Sequence, residues 1–375
     1  MKLTLQVLSF PVPSAGCEAP AGISVSVIQP YHETMASRMK DIARDVGVSV
    51  ITVSKVLRNH PDISEETRRK VLKRMKELNY QPNFAARALV TGRTLSIGLI
   101  VPDLVHPFFA EVAKGLARVL RERGYGLLIA SSEENVDLER REIDQMLARG
   151  VDALIIASAQ WTVESFRGIE ERNVPYVLID RQFAGLAANF VGIDDAAAGL
   201  IATEHLIEIG CRRIAHIRGP AVSTAMGRLA GYARALLRHG IEARSEYVVQ
   251  EETGDEGGDA SGRRAMAQLL SLDPRPDGVF CYNDPAAMGA MMAILEAGLK
   301  IPDDIAVIGC GNVVYAPFLR VPLSSIDQSS ALIGSRAGEL ALKLIESKTP
   351  SKPESILMEP RLVARASTMR GGKIG

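Results

Sequence analysis

The stretch from Lys40 to Asn83 reads KDIARDVGVSVITVSKVLRNHPDISEETRRKVLKRMKELNYQPN, and its apolar residues recur at helical spacing in three punctuated blocks. Ile42, Ala43 and Val46 mark one face of a first helix that stops at Gly47, a residue suited to the left-handed conformation just past a helix end. Ser49 caps a second helix, in which Val53, Val56 and Leu57 fall on the buried side while Ile51, Thr52 and Lys55 face away. Ser64 caps a third helix, with Glu65 and Glu66 in its first turn, a basic body, and Val71, Leu72, Met75 and Leu78 for packing. Two short helices joined by a tight Gly-Val-Ser turn and braced by a third form a helix-turn-helix, whose second helix fits the DNA major groove.

Residue chemistry at the start of that second helix suits base edges. Val50 and Ile51 can lie against thymine methyl groups, and Lys55, one turn on, can reach guanine O6 or N7. Val50 also lies three residues before Val53, so core packing is an equal alternative for it. Thr52, Ser54, Arg58 and Asn59 are placed for phosphate contacts, which hold register without carrying sequence information. Charge agrees: Arg38–Arg93 holds thirteen Lys and Arg against six Asp and Glu, a surplus of seven, while the rest from Thr94 onward is acidic by six.

On the N-terminal side, residues 1–38 show no lasting periodicity and are expected to be a disordered leader or a mis-assigned start, with initiation at Met35 or Met39. The apolar run from Leu3 faintly imitates a secretory signal, but Pro11 and Pro13 break it. On the C-terminal side, residues 83–93 carry NFAARALV, a hinge helix too short to stand alone, since isolated helices become marginal only at ~12 to 15 residues. Laid over the minor groove, it would present Asn83, Arg87 and Leu89, with Leu89 able to wedge into a base step. Composition alone reads the same segment as an interdomain linker.

The order of helix-turn-helix at 39–82, Asn-Tyr-Gln-Pro-Asn and short hinge resembles the lactose-repressor (LacI-type) family of bacterial regulators, from about Lys40 to about Ser367. The resemblance implies that Val50, Ile51 and Lys55 read bases and that Leu89 intercalates. Many members have Arg where this chain has Lys55, which cannot make the same rigid two-pronged contact with guanine.

Beyond Thr94, short β-branched runs alternate with amphipathic helices in two series, the pattern of two doubly wound parallel α/β lobes. The resemblance implies a periplasmic-binding-protein-like effector domain, with one lobe from 94–192 and 328–357 and the other from 193–327 and 358–367. Ligands in such sheets bind beyond the carboxyl ends of strands. Those positions hold Asp103, His106, Phe108, Phe109, Ser158, Asp180 and Arg181 in one lobe and Arg228, Asn283, Asp284, Asn312 and Gln328 in the other. Taken singly each is more often a cap or surface residue; the resemblance raises Arg228, Asn283 and Gln328 in particular. Polar groups with aromatics suit a sugar-like effector. Sugar-binding relatives commonly carry an aspartate where this chain has Gly311, so a nucleobase or other polar metabolite stays open.

Other classes have poor support. No run approaches the ~20 apolar residues of a membrane span, and the four scattered cysteines show neither a metal-binding spacing nor a disulfide framework. Nucleophile-elbow, phosphate-loop and zinc-protease motifs are missing, so no catalytic residue, cofactor or metal is expected. The expectation is a cytoplasmic, homodimeric, sequence-specific repressor of operator DNA whose affinity follows a small polar effector. A small-molecule-processing enzyme with an attached DNA-binding head is the alternative.

Overall fold

The computed structural model describes residues 38–57, 60–80, 92–159, 166–183, 185–250, 258–347 and 352–370, and the chain divides after Pro82 into two units. The smaller unit is built from α1 (Met39–Val46), α2 (Val50–Leu57) and α3 (Glu65–Glu77). Gly47, at φ 71°, ends α1 in the left-handed region, where a side chain would be strained. Ser49 Oγ accepts from Thr52 N at 3.0 Å and Ser64 Oγ from Thr67 N at 3.3 Å, so each following helix starts on a capped first turn. Ile42, Ala43, Val53, Val56, Val71 and Met75 close the core. Leu72, expected to be available for packing, is exposed, because it lies about 100° round the helix from Val71.

The larger unit holds two six-stranded sheets. The first lobe uses β1 (Ser96–Val101), α4 (Pro107–Glu122), β2 (Gly126–Ser131), α5 (Val136–Ala148), β3 (Ala153–Ile156), α6 (Arg167–Glu171), β4 (Tyr176–Ile179) and β5 (Asn189–Ile193). The chain then enters the second lobe through α7 (Asp195–Glu208), β6 (Ile214–Arg218), α8 (Ser223–Arg238), β7 (Val248–Gln250), α9 (Gly258–Leu270), β8 (Gly278–Cys281), α10 (Asp284–Glu296), β9 (Ala306–Cys310) and β10 (Ser324–Asp327). It returns with α11 (Ser330–Glu346), which packs on α4, and β11 (Ser355–Met358), then ends in β12 (Arg361–Val363) of the second sheet.

The sheet orders are β11-β5-β4-β3-β1-β2 and β12-β10-β9-β8-β6-β7. Among the described residues all pairings are parallel except β10 with β12. Strands covered on both faces need apolar residues throughout, and ALII in β3 and AVIGC in β9 are buried at every position. Each lobe therefore repeats the 2-1-3-4-5 doubly wound order, and its strand order reverses between β1 and β3 or between β6 and β8. Loops diverge at that reversal and leave a crevice at the strands' carboxyl ends.

Candidate functional site: a recognition helix and an interlobe cleft

In the small unit, packing through Val53 and Val56 turns the opposite side of α2 outward. Ile51 is 67% exposed, and Val50, for which core packing was the equal alternative, is 45% exposed and absent from the buried core. Lys55 Nζ meets Asp62 Oδ2 at 2.5 Å, and His60 Nδ1 holds the other oxygen of the same carboxylate at 2.6 Å. These contacts hold Asp62 below the usual carboxylate range. Thr52 shares a hydroxyl contact of 2.9 Å with Ser49 at the cap, and Ser54 is half-buried. Arg58, Asn59, Asn83, Arg87 and Leu89 lie outside the described residues.

In the large unit, the β1, β3 and β4 ends of one lobe and the α8, β8 and β10 residues of the other bring charged groups into one cluster. Arg228 is set by a close crossing of α7 and α8: a Cβ at Gly199 would stand 2.1 Å from the Arg228 carbonyl oxygen. Its guanidinium donates to Asp195 Oδ1 at 2.9 Å, the Tyr282 carbonyl at 2.6 Å and Gln328 Oε1 at 3.2 Å, and lies 4.8 Å over the Tyr282 ring. Burial pushes the Asp195 carboxyl up to about 7 against the pull of Arg228. Across the cleft, Arg181 forks onto both oxygens of Glu134, at 2.9 and 2.6 Å, and also reaches the Ser158 carbonyl. Neighbouring Asp180 sits at φ 62°, a backbone region uncommon outside glycine, and burial raises its pKa.

The lobes touch at His106 and Asn283. Asn283 caps α10 by accepting from Ala286 N at 2.8 Å, which turns its amide nitrogen to the first lobe, 3.3 Å from His106 Nε2. His106 caps α4, accepting from Phe108 N at Nδ1, and burial pushes its pKa down to about 4.

The remaining sequence candidates are engaged by other groups, although Asp103 still lines a cavity that His106 borders. Phe108 and Phe109 pack edge-on in the first lobe's core, Ser158 directs its hydroxyl to buried Glu139, and Asp103 accepts from Val105 N. Asp284 is wholly buried, accepting from Ser325 Oγ and Val313 N, and Asn312 is held by Arg365. Glu134, Asp195 and Tyr282, absent from the sequence expectation, each follow a strand end and could have been found by the same rule. Beside the polar cleft lies an apolar cavity of about 490 Å³, with Val105 and Pro107 on one wall and Met288, Met291, Met292 and Leu319 on the other. Around it Val105 and Phe318 are 88% and 84% exposed. No helix among the described residues is long and apolar enough to cross a membrane.

Comparison with known proteins bears on both units. The profile of bacterial regulatory proteins of the lacI family matches residues 38–83, and that of the periplasmic binding protein-like domain matches residues 203–368. The HTH-type transcriptional repressor PurR of Escherichia coli O139:H28 is 35% identical over 336 residues, spanning 89% of this chain and 97% of the relative. Among solved structures, the lac repressor dimer bound to operator and the anti-inducer ONPF superposes with a TM-score of 0.78 at 27% identity, covering 89% of this chain and 99% of that one. The transcriptional regulator CelR in complex with cellobiose superposes with a TM-score of 0.67 at 31% identity, covering 88% and 99%. A helix-turn-helix head, two doubly wound lobes and a relative matched over nearly its whole length establish that this chain belongs to the lacI family of bacterial regulatory proteins.

Proposed function

We propose that the protein represses transcription from the cytoplasm by binding operator DNA as a homodimer, with its affinity set by a small polar effector held between the lobes. The observation that carries the DNA half is the outward apolar pair Val50 and Ile51 at the N-terminus of the second helix of a helix-turn-helix, beside Lys55. Apolar side chains kept in solvent at that position fit thymine methyl groups, and Lys55 fits guanine. Thr52, Ser54, Arg58 and Asn59 take phosphate roles, and Asn83, Arg87 and Leu89 the minor groove. The relatives named for operator, repressor and cellobiose support the same assignment.

Effector binding is supported by the convergence of Asp180, Arg181, Arg228, Asn283, Gln328 and His106 on one cleft. Dimerisation is supported by the apolar face around Val105 and Phe318, since a two-fold contact lets such a side chain on each copy enter the cavity of the other. The domain binds its effector without transforming it.

Selection of binding sites from random duplexes, followed by salt titration, tests the DNA half. A roughly palindromic site whose affinity falls steeply between 50 and 200 mM salt is expected, because phosphate contacts release counterions. No enriched sequence, or a flat salt dependence, contradicts the proposal.

A further inference from the structure

A lysine standing alone discriminates poorly among bases. Its ammonium is a point charge on a flexible stem, as well suited to a phosphate oxygen as to a base acceptor. In this head Lys55 does not stand alone. Its Nζ lies 2.5 Å from Asp62 Oδ2, and His60 Nδ1 holds the other oxygen of that carboxylate at 2.6 Å. The segment carrying Asp62 is anchored at His60 from two sides: His60 N donates to the Lys55 carbonyl in the last turn of α2 at 3.0 Å, and Arg68 of α3 donates to the His60 carbonyl at 2.9 Å. The carboxylate is thereby fixed beside the recognition helix.

Its placement sets it apart from the other acids of the head. The remaining five carboxylates between Arg38 and Arg93 meet cations of α1 or α3: Asp41 meets Arg44, Asp45 and Glu77 meet Arg74, Glu65 meets Arg68 and Glu66 meets Lys70. Among the described residues Asp62 is the acid turned toward α2, with its side chain 45% exposed. An exposed ion pair adds little to stability, and a carboxylate on a face that meets a polyanion opposes association. The bases supply a reason for it. Along its major-groove edge a G·C pair presents guanine N7 and O6 as acceptors and, next to them, the cytosine N4 amino group as a donor. A cation and an anion held side by side match that edge. With A·T in the same orientation, the ammonium meets the adenine N6 donor and the carboxylate meets thymine O4, so both contacts turn unfavourable.

We infer that Asp62 is a specificity-determining residue of the head: with Lys55 it reads one G·C pair in each half-site, accepting from the cytosine N4 amino group while Lys55 donates to the paired guanine. This rests on the base-reading role proposed for Lys55 and adds a reader from outside the recognition helix.

The test selects sites from random duplexes with the full chain, with Lys55→Ala and with Asp62→Ala, the fold of each checked by thermal unfolding. The wild-type site should hold a G·C pair that Lys55→Ala no longer selects, and Asp62→Ala should prefer that pair over A·T about tenfold less than wild type while keeping the rest of the site. A second probe leaves the protein untouched: N4-methylcytosine in that pair removes the groove-facing donor and should weaken wild type about tenfold more than Asp62→Ala. If Asp62→Ala keeps the full preference, if the methyl group weakens both proteins equally, or if the position that depends on Lys55 is not G·C, the inference is overturned and Lys55 remains a base reader. If no sequence is enriched, or Lys55→Ala selects the wild-type site, the base-reading role itself fails and the inference with it.

Discussion

In the small unit Arg74 reaches Asp45 at 2.7 Å with both side chains partly exposed to water, whereas in the large unit Arg228 meets Asp195 at 2.9 Å with its side chain only 3% exposed. The chemistry is the same and the surroundings are not. Water already solvates the first pair, so its removal exposes nothing new; the second pair holds two charges that have lost their hydration. A surface meant for a polyanion can afford exposed cations that rearrange on contact. A cleft meant for a small molecule needs groups fixed in advance.

That contrast is broken or sharpened most strongly by removing the arginines. Arg228→Ala leaves Asp195 and the Tyr282 carbonyl facing a buried gap, and should destabilise the lobed unit by about 3 to 5 kcal/mol. Arg74→Ala should leave the unfolding of the head without measurable change, as exposed pairs commonly do. Urea unfolding of both variants, followed by circular dichroism, checks the pair of outcomes. A loss below about 1 kcal/mol for Arg228→Ala would remove the distinction.

A smaller effect comes from protons. His216 is wholly buried between the rings of Tyr232 and Phe280, its Nδ1 on the Phe280 carbonyl and its Nε2 without a partner among the described residues. Burial pushes its pKa down to about 4 from 6.5, so its contribution to stability is present above pH 6.5 and is lost as pH falls toward 4. Buried Asp195 and Asp284, raised to about 7 and about 6, act in the opposite sense: their charged forms are disfavoured, and acidification relieves them. The two carboxyls together are shifted further than the histidine, so through these groups wild type should be more stable at pH 4 than at pH 7. His216→Phe removes one side of the balance. Relative to wild type, it should gain about 3 kcal/mol between those pH values, whatever it loses at pH 7. Parallel stability curves for the two proteins would show that His216 does not titrate in this range.

The same contrast explains what the sequence disclosed. The head's caps join residues three apart, Ser49 with Thr52 and Ser64 with Thr67, so residue spacing alone suffices to place them. Alternating strands and helices likewise marked the doubly wound body. The strand-end rule reached Asp180, Arg181, Asn283 and Gln328, yet it could not say which way a side chain turns. Asp284 turns inward because Ser325, 41 residues away, donates to it, and Asn312 is taken by Arg365, 53 residues away. The partner of Arg181 lies 47 residues back and one partner of Arg228 lies 100 residues on, separations that no local periodicity encodes.

The smallest effect on stability is expected where the functional claim on the head is largest. Ile51 and Val53 are both β-branched residues on α2, two positions apart, and helical geometry sends them to opposite sides: Ile51 is mostly in water while Val53 is fully buried. Ile51→Ala should change the head's stability by no more than about 0.5 kcal/mol, since its side chain is mostly in water. Val53→Ala should cost clearly more, because it opens a gap in a core of six buried side chains. On DNA the order should reverse for the folded proteins: Ile51→Ala gives up apolar area against a base and should weaken a selected site by about 1 to 2 kcal/mol. Thermal unfolding and operator titration of the two variants measure both halves. If Ile51→Ala destabilises the head as Val53→Ala does, Ile51 is a core residue and the recognition surface lies elsewhere on the helix; if it changes binding alone, its exposed side chain belongs to the recognition surface.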